Sequence, residues 1–371
     1  MDDLGDSTRC VHAGQPAAVP GQPLAPGPVF AAPFHLHPKG VESGADGYGR
    51  MDSPSRRLLE SAIGELEGGD CLVFGSGQAA INALLMTVLR PGDTLMMPSD
   101  GYYSVRIFAA TTLAELGITT VEVPTAGPYP SMDGVRLVLL ESPANPGLDV
   151  VDITRVAPAA HAAGALVAVD NTAATPLGQR PLDLGADVSV ASATKAISGH
   201  SDLIMGYVAT RSPELLAGMT KWRTLAGGIS SPFDAWLARR SLSTLDLRLR
   251  AQTANAAALV EVLLADPLVT GVRWPGLPSD PSFEIASRQM RRIPGIVGFT
   301  LPSADHVEQF LRHSRFVAAA TSFGGLHTSA DRREQWGDST PPGFVRLSCG
   351  IEDAADLVAD VQRALSATRA G

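Results

Sequence analysis

Lys195 closes the segment Ser192-Ala193-Thr194-Lys195, directly after the apolar run Val188-Ser189-Val190-Ala191. Lysine is rarely taken out of water without a partner, and a desolvated primary amine is a nucleophile that can condense with a carbonyl. Only three lysines occur, Lys39, Lys195 and Lys221, among 29 lysines and arginines together. Arginine cannot form such a bond, so a position where an amine survives gains weight. Asp170 ends a second apolar run, Gly164-Ala165-Leu166-Val167-Ala168-Val169, and open α/β sheets bind ligands outside the carboxyl ends of their strands. Gly75-Ser76-Gly77-Gln78 lies between a strand-like and a helix-like segment. Glycines there let the backbone approach an anion, and a helix start offers free N–H groups. Ser192 and Thr194 add hydroxyl donors for a phosphate.

An amine, a carboxylate that can hold a pyridine nitrogen protonated and a phosphate cradle are the parts that pyridoxal 5'-phosphate (PLP) requires. On this reading Lys195 is the Schiff-base lysine and Asp170 keeps the ring an electron sink. The Gly-Ser-Gly turn matches neither the dinucleotide fingerprint nor the P-loop pattern.

These residues need a scaffold, and apolar strands alternate with helical patterns from about Pro54 to Leu225. Strands are expected at 71–74, 94–97, 119–123, 135–140, 165–169, 187–191 and 206–210. Helices are expected at 56–66, 79–89, 104–116 and 153–163. That alternation predicts an α/β fold with a mostly parallel sheet covered on both faces. Residues 1–45, rich in Pro, Gly and Ala, read as an extended N-terminal arm. Residues 46–240 read as the large domain and 241–371 as a smaller C-terminal α/β domain with an antiparallel sheet. One or two long helices over 232–264 bridge the two. In the small domain, strands are expected near 271–274, 295–301 and 344–347, and helices at 304–312 and 352–365.

With 371 residues, 45% of them apolar, the chain can bury two cores. A formal net charge of −9 and no dense basic run argue against nucleic acid or an anionic membrane as partner. Cys10, Cys71 and Cys349 fit neither a disulfide framework nor a zinc cluster, so no metal is expected. A reducing cytoplasm is the expected setting. No apolar stretch reaches the roughly 20 residues of a membrane span, and the N-terminus shows no signal segment.

An ordered set of motifs then resembles one family, the Cys/Met-metabolism PLP enzymes that include cystathionine gamma-synthase and gamma-lyase. They include Val11-His12-Ala13-Gly14, Tyr48-Gly49-Arg50, Glu141-Ser142-Pro143-Ala144-Asn145-Pro146, Val169-Asp170-Asn171-Thr172, Ser192-Ala193-Thr194-Lys195, Ser322-Phe323-Gly324-Gly325 and Val345-Arg346-Leu347-Ser348-Cys349-Gly350. The resemblance runs from about Thr8 to Leu365 and implies fold type I of the PLP-dependent transferases, similar to aspartate aminotransferase. It also implies site roles. Lys195 carries the cofactor and shuttles protons, Asp170 holds its ring nitrogen, and Gly77, Gln78, Ser192 and Thr194 bind its phosphate. Tyr102 stacks on the ring and acts in proton transfer. Asn145 and Arg346 hold the substrate carboxylate, with Ser322 positioning Lys195. Tyr48 and Arg50 complete the site of a neighbouring subunit, within a homotetramer built as a dimer of dimers.

The reaction implied is α,γ-elimination on a γ-substituted amino acid, with cystathionine giving cysteine, 2-oxobutanoate and ammonia. Three alternatives stand beside it. One is a specialised lyase for an unusual or halogenated γ-substituted amino acid. The second is a γ-replacement enzyme of the synthase or O-acylhomoserine sulfhydrylase type, and the third a non-catalytic PLP-fold interaction protein. Departures from the family pattern cluster on the substrate side. Ser53 and Ser55 replace asparagine and threonine, and Gln78 stands where methionine is common. Tyr103-Ser104 replaces a glycine pair, with one residue fewer before Arg106. Ala191 and Ala196 replace a histidine and an aromatic residue, His327 a glutamate, and Thr321 a glutamate of some gamma-lyases.

Overall fold

A computed structural model describes residues 4–40 and 46–370. Seven strands form the large sheet: β1 (Asp70–Phe74), β2 (Thr94–Pro98), β3 (Thr119–Val123), β4 (Val135–Glu141), β5 (Leu166–Asp170), β6 (Val188–Ala191) and β7 (Gly206–Thr210). Their order is β1-β7-β6-β5-β4-β2-β3. Every pairing is parallel except those of β7, which runs antiparallel to both β1 and β6. The central strands are apolar without alternation because both faces are covered. On one face the helices 77–88 and 213–226 pack on Leu72, Leu139, Val190 and Val208. On the other, the helix 153–162 packs on Val138, Leu140, Val167 and Val169.

Five shorter strands form the second sheet: β8 (Thr270–Arg273), β9 (Ile296–Thr300), β10 (Ala318–Ala319), β11 (Ser329–Arg332) and β12 (Phe344–Ser348). The order is β10-β11-β12-β9-β8, antiparallel apart from β10 with β11. The expected bridge is two helices, Pro232–Leu242 and Leu245–Ala265, broken at Ser243-Thr244. The second places Leu245 and Leu249 in the first core and Ala256, Leu259 and Leu263 in the core of the second sheet.

The N-terminal arm is not extended throughout. Asp6–His12 is helical and buries Cys10 against Leu59, Ile63, Leu245 and Leu249. Seven residues are too few to show a helical repeat in sequence, and tertiary packing sustains this turn. Residues 1–3 and 41–45 of the expected arm lie outside the described residues. The helix Pro213–Ala226 had no sequence expectation, although Ser212 caps its start and Gly227 ends it in the left-handed conformation. Strands β10 and β11 carry no sequence expectation either; both are short, β11 pairing with β12 and β10 with β11 alone. Among the described residues no helix is long and apolar enough to cross a membrane.

Candidate active site

The carboxyl ends of the parallel strands make one floor. β1 ends at Phe74, and Gly75-Ser76 leads directly into the helix Gly77–Val88. Ser76 caps that helix by accepting a hydrogen bond from Ala79 N. The cap leaves the N–H groups of Gly77 and Gln78, at the helix start, without intrahelical acceptors. Gly206 on β7 fixes the turn from below, because a Cβ there would lie 2.3 Å from the Ser76 carbonyl oxygen. β4 and β5 end side by side, with Glu141 in register with Asp170. The loop after β6 carries Ser192, Thr194 and Lys195.

Across this floor lies the second sheet with its loops, and between them is a cavity of about 420 Å³. Gly77, Gln78, Tyr102, Asn145, Asp170, Ser192, Thr194, Lys195, Ser322 and Arg346 all line it. Tyr48 and Arg50 do not. They sit at the surface, the Arg50 guanidinium 5.7 Å from the centre of the Tyr48 ring and donating to the Thr224 carbonyl at 2.8 Å.

Lys195 Nζ donates to Ser322 Oγ at 2.8 Å and lies 5.3 Å from the centre of the Phe323 ring. Its pKa is lowered from 10.5 to about 8, chiefly by burial and then by the Arg346 and Arg333 charges, with Asp170 opposing them. Ser322 adopts φ of +78°, a conformation costly for a residue with a side chain. That conformation accompanies two contacts: the hydroxyl meets Lys195 and the carbonyl accepts from Arg346 Nη2 at 2.9 Å. Arg346 also donates from Nη1 to Asn145 Oδ1, while its buried Nε has no partner. Burial lowers the Arg346 pKa to about 10, which leaves it cationic at neutral pH.

Asp170 Oδ1 accepts both the N–H and the hydroxyl of Thr172. Burial raises the Asp170 pKa, and those two hydrogen bonds oppose the shift. Thr172 Oγ1 in turn accepts from Ser192 N at 2.8 Å, tying the Asp170 strand end to the loop of Lys195. Thr194 differs from expectation in one respect. Its hydroxyl donates to the Met205 carbonyl at 3.1 Å and accepts from Met205 N at 2.9 Å, so its proton is engaged. The Gln78 side chain turns along the helix to Asn82 and leaves its backbone N–H toward the helix start.

Several lining residues carried no individual expectation. Thr172 and Glu141 belong to the quoted motifs, but their contacts depend on strand order. Arg333 and Trp336 also line the cavity. Arg333 is paired with Asp331 and Asp338, and Trp336 donates its indole N–H to Asp331 at 3.0 Å. Asp331 stands opposite Arg346 across β11 and β12.

The residues present fit PLP: an amine for its aldehyde, the Asp170 carboxylate for its ring nitrogen and a helix start with free N–H groups for its phosphate share one cavity. Comparison with known proteins agrees. The chain is 51% identical over 372 residues to a putative cystathionine gamma-lyase of Streptomyces coelicolor, covering 98% of this chain and 94% of that one. It is 36% identical to an L-methionine gamma-lyase of Pseudomonas deceptionensis, covering 98% of each. A crystal structure of cystathionine gamma synthase from Xanthomonas oryzae pv. oryzae, in complex with aminoacrylate and cysteine, superposes with a TM-score of 0.94 at 35% identity and covers 99% of both chains. Residues 7–366 match one family throughout, and the chain belongs to the Cys/Met metabolism PLP-dependent enzymes.

Proposed function

We propose that this enzyme expels the γ-substituent of a cystathionine- or methionine-type amino acid, and that one site serves two outcomes. A thiol captures the γ-carbon when one is present, which is replacement. Without a thiol the γ-substituent leaves with a proton and water hydrolyses the remainder to 2-oxobutanoate and ammonia, which is elimination. Elimination, the main expectation, is narrower than the relatives support, because they include both lyases and a synthase, and the γ-replacement alternative is supported beside it.

The observation that carries this reading is the solitary amine. Among the described residues Lys195 is the one lysine lining the cavity; its amine ends a flexible stem and is hydrogen-bonded to a hydroxyl. A base of that kind can serve the α-carbon and then more distal positions, which a fixed carboxylate could not reach. When bound, PLP supplies an aldehyde for an amine and a ring that withdraws electrons from the bonds at the substrate α-carbon. Asp170 would hold the ring nitrogen. The N–H groups of Gly77 and Gln78, with Ser192, would hold the phosphate, and Thr194 could join them only by turning its proton away from Met205. The Tyr102 ring would form one wall. Arg346, steadied by Asn145 and the Ser322 carbonyl, would grip the substrate carboxylate. Lys195 Nζ, waiting on Ser322 Oγ, would take the α-proton and carry it along the substrate. Tyr48 and Arg50 would serve the site of a second copy, since they lie outside their own cavity.

A substrate panel decides between the outcomes. Cystathionine, methionine and O-acyl homoserines should release 2-oxobutanoate without added thiol, and adding a thiol should divert product into a new thioether. Ketoacid release that no thiol diverts would reduce the reading to a lyase. Thioether formation with no ketoacid in the absence of thiol would reduce it to a synthase.

The amine has its own pH signature. The neutral fraction of Lys195 grows as pH rises through about 8, so in cofactor-free protein its labelling by an amine reagent should accelerate there, well below the ordinary 10.5. Peptide mapping reads the rate residue by residue. A Lys195 profile rising only near the ordinary value would contradict the desolvated amine.

Subunit sharing is checked by mixing. Lys195→Ala and Arg50→Ala proteins, each nearly inactive alone, should regain activity after subunit exchange. Exchange confirmed by mass spectrometry without recovery would place Arg50 outside the partner's site.

A further inference from the structure

We propose that Glu141 is a positioning residue that holds the two walls of the site in register, by accepting the backbone N–H of Tyr102 on one oxygen and that of Asn145 on the other. The proposal deepens the reading above and rests on the roles given there to Tyr102 and Asn145.

Glu141 ends β4 in register with Asp170, so two carboxyl groups stand side by side at the strand ends. Like charges so placed repel, and burial together with the Asp170 charge raises the Glu141 pKa. No ion pair among the described residues relieves it. Its contacts are instead two backbone donors: Tyr102 N to Oε2 at 2.7 Å and Asn145 N to Oε1 at 2.8 Å. Both oxygens are therefore engaged, one on the loop after β2 and the other on the loop after β4. Gly101 makes the first contact possible, because a Cβ there would lie 2.7 Å from Glu141 Oε2.

The linkage continues beyond these loops. Asn145 Oδ1 accepts from Arg346, Arg346 donates to the Ser322 carbonyl, and Ser322 Oγ accepts from Lys195. Glu141 is thus the junction between the tyrosine wall and the hydrogen-bonded series that ends on the amine. An acid kept only for stability would not need both oxygens on the two loops that carry site residues.

Two variants of the holoenzyme test this. Glu141→Gln keeps the shape but has one acceptor oxygen, so its amide NH₂ would face one of the two backbone donors. Gly101→Ala retains the Glu141 carboxyl group, but the added Cβ, 2.7 Å from Oε2, displaces it from Tyr102 N. In both, the visible circular dichroism of bound PLP should change and its dissociation constant should rise. In Glu141→Gln, KM for the amino acid should rise about tenfold, the scale of one lost hydrogen bond that leaves a buried backbone donor unpaired. Its kcat at saturating cofactor should stay within about threefold, since the reacting groups remain. Wild-type dichroism, cofactor affinity and KM in both variants, even with a lowered melting temperature, would overturn the proposal. If the wild-type protein turned over no thioether amino acid, the functional reading would fail, and the dichroism and cofactor affinity would still decide on Glu141.

Discussion

Lys195 is drawn out of water with no carboxylate among the described residues in contact with it. Its amine meets one hydroxyl, Ser322 Oγ, and the face of Phe323, while Asp170 attracts it only through space. Desolvation of an amine favours the neutral, nucleophilic form. Two nearby guanidinium groups, on Arg346 and Arg333, push in the same direction. The strained backbone of Ser322 belongs to the same arrangement, because it offers a hydroxyl to the lysine and a carbonyl to Arg346 at once.

The amine sits on one sheet and its partners on the other, so the site exists only when both sheets are folded and apposed. The large sheet supplies a floor of strand ends, where Thr172 ties Asp170 to the loop of Ser192 and Lys195. The small sheet supplies Arg346 from β12 and, opposite it on β11, Asp331, which gathers Arg333 and Trp336 along the cavity edge. Asn145 reaches from the floor to Arg346 and closes the gap. Long helical packing along 245–265 spans both cores and sets the distance between them.

Much of this could be read from local order. Lys195, Asp170 and Gly77 each follow an apolar strand, and strand ends are where an α/β sheet places ligands. The family resemblance added Arg346, Asn145, Tyr102 and Ser322, which line the cavity beside them. What remained hidden depends on strand order or on contacts distant in sequence. Glu141 meets Asp170 only because β4 and β5 are neighbours. The Thr194 hydroxyl is engaged by Met205, eleven positions away, which no local pattern reveals. The helix Asp6–His12 is held by Leu245 and Leu249, far along the chain. Arg333 and Trp336 lie on a stretch without periodicity, positioned by aspartates rather than by apolar packing.

The central claim is that Lys195 is the amine that carries the cofactor, and the scarcity of lysine makes the direct measurement clean. Protein loaded with PLP is reduced with borohydride, digested and mapped by mass spectrometry. The account predicts the pyridoxyl mass on the peptide containing Lys195 and its loss in Lys195→Ala. Stoichiometric label on Lys39 or Lys221, or none on any lysine of cofactor-loaded protein, would contradict it.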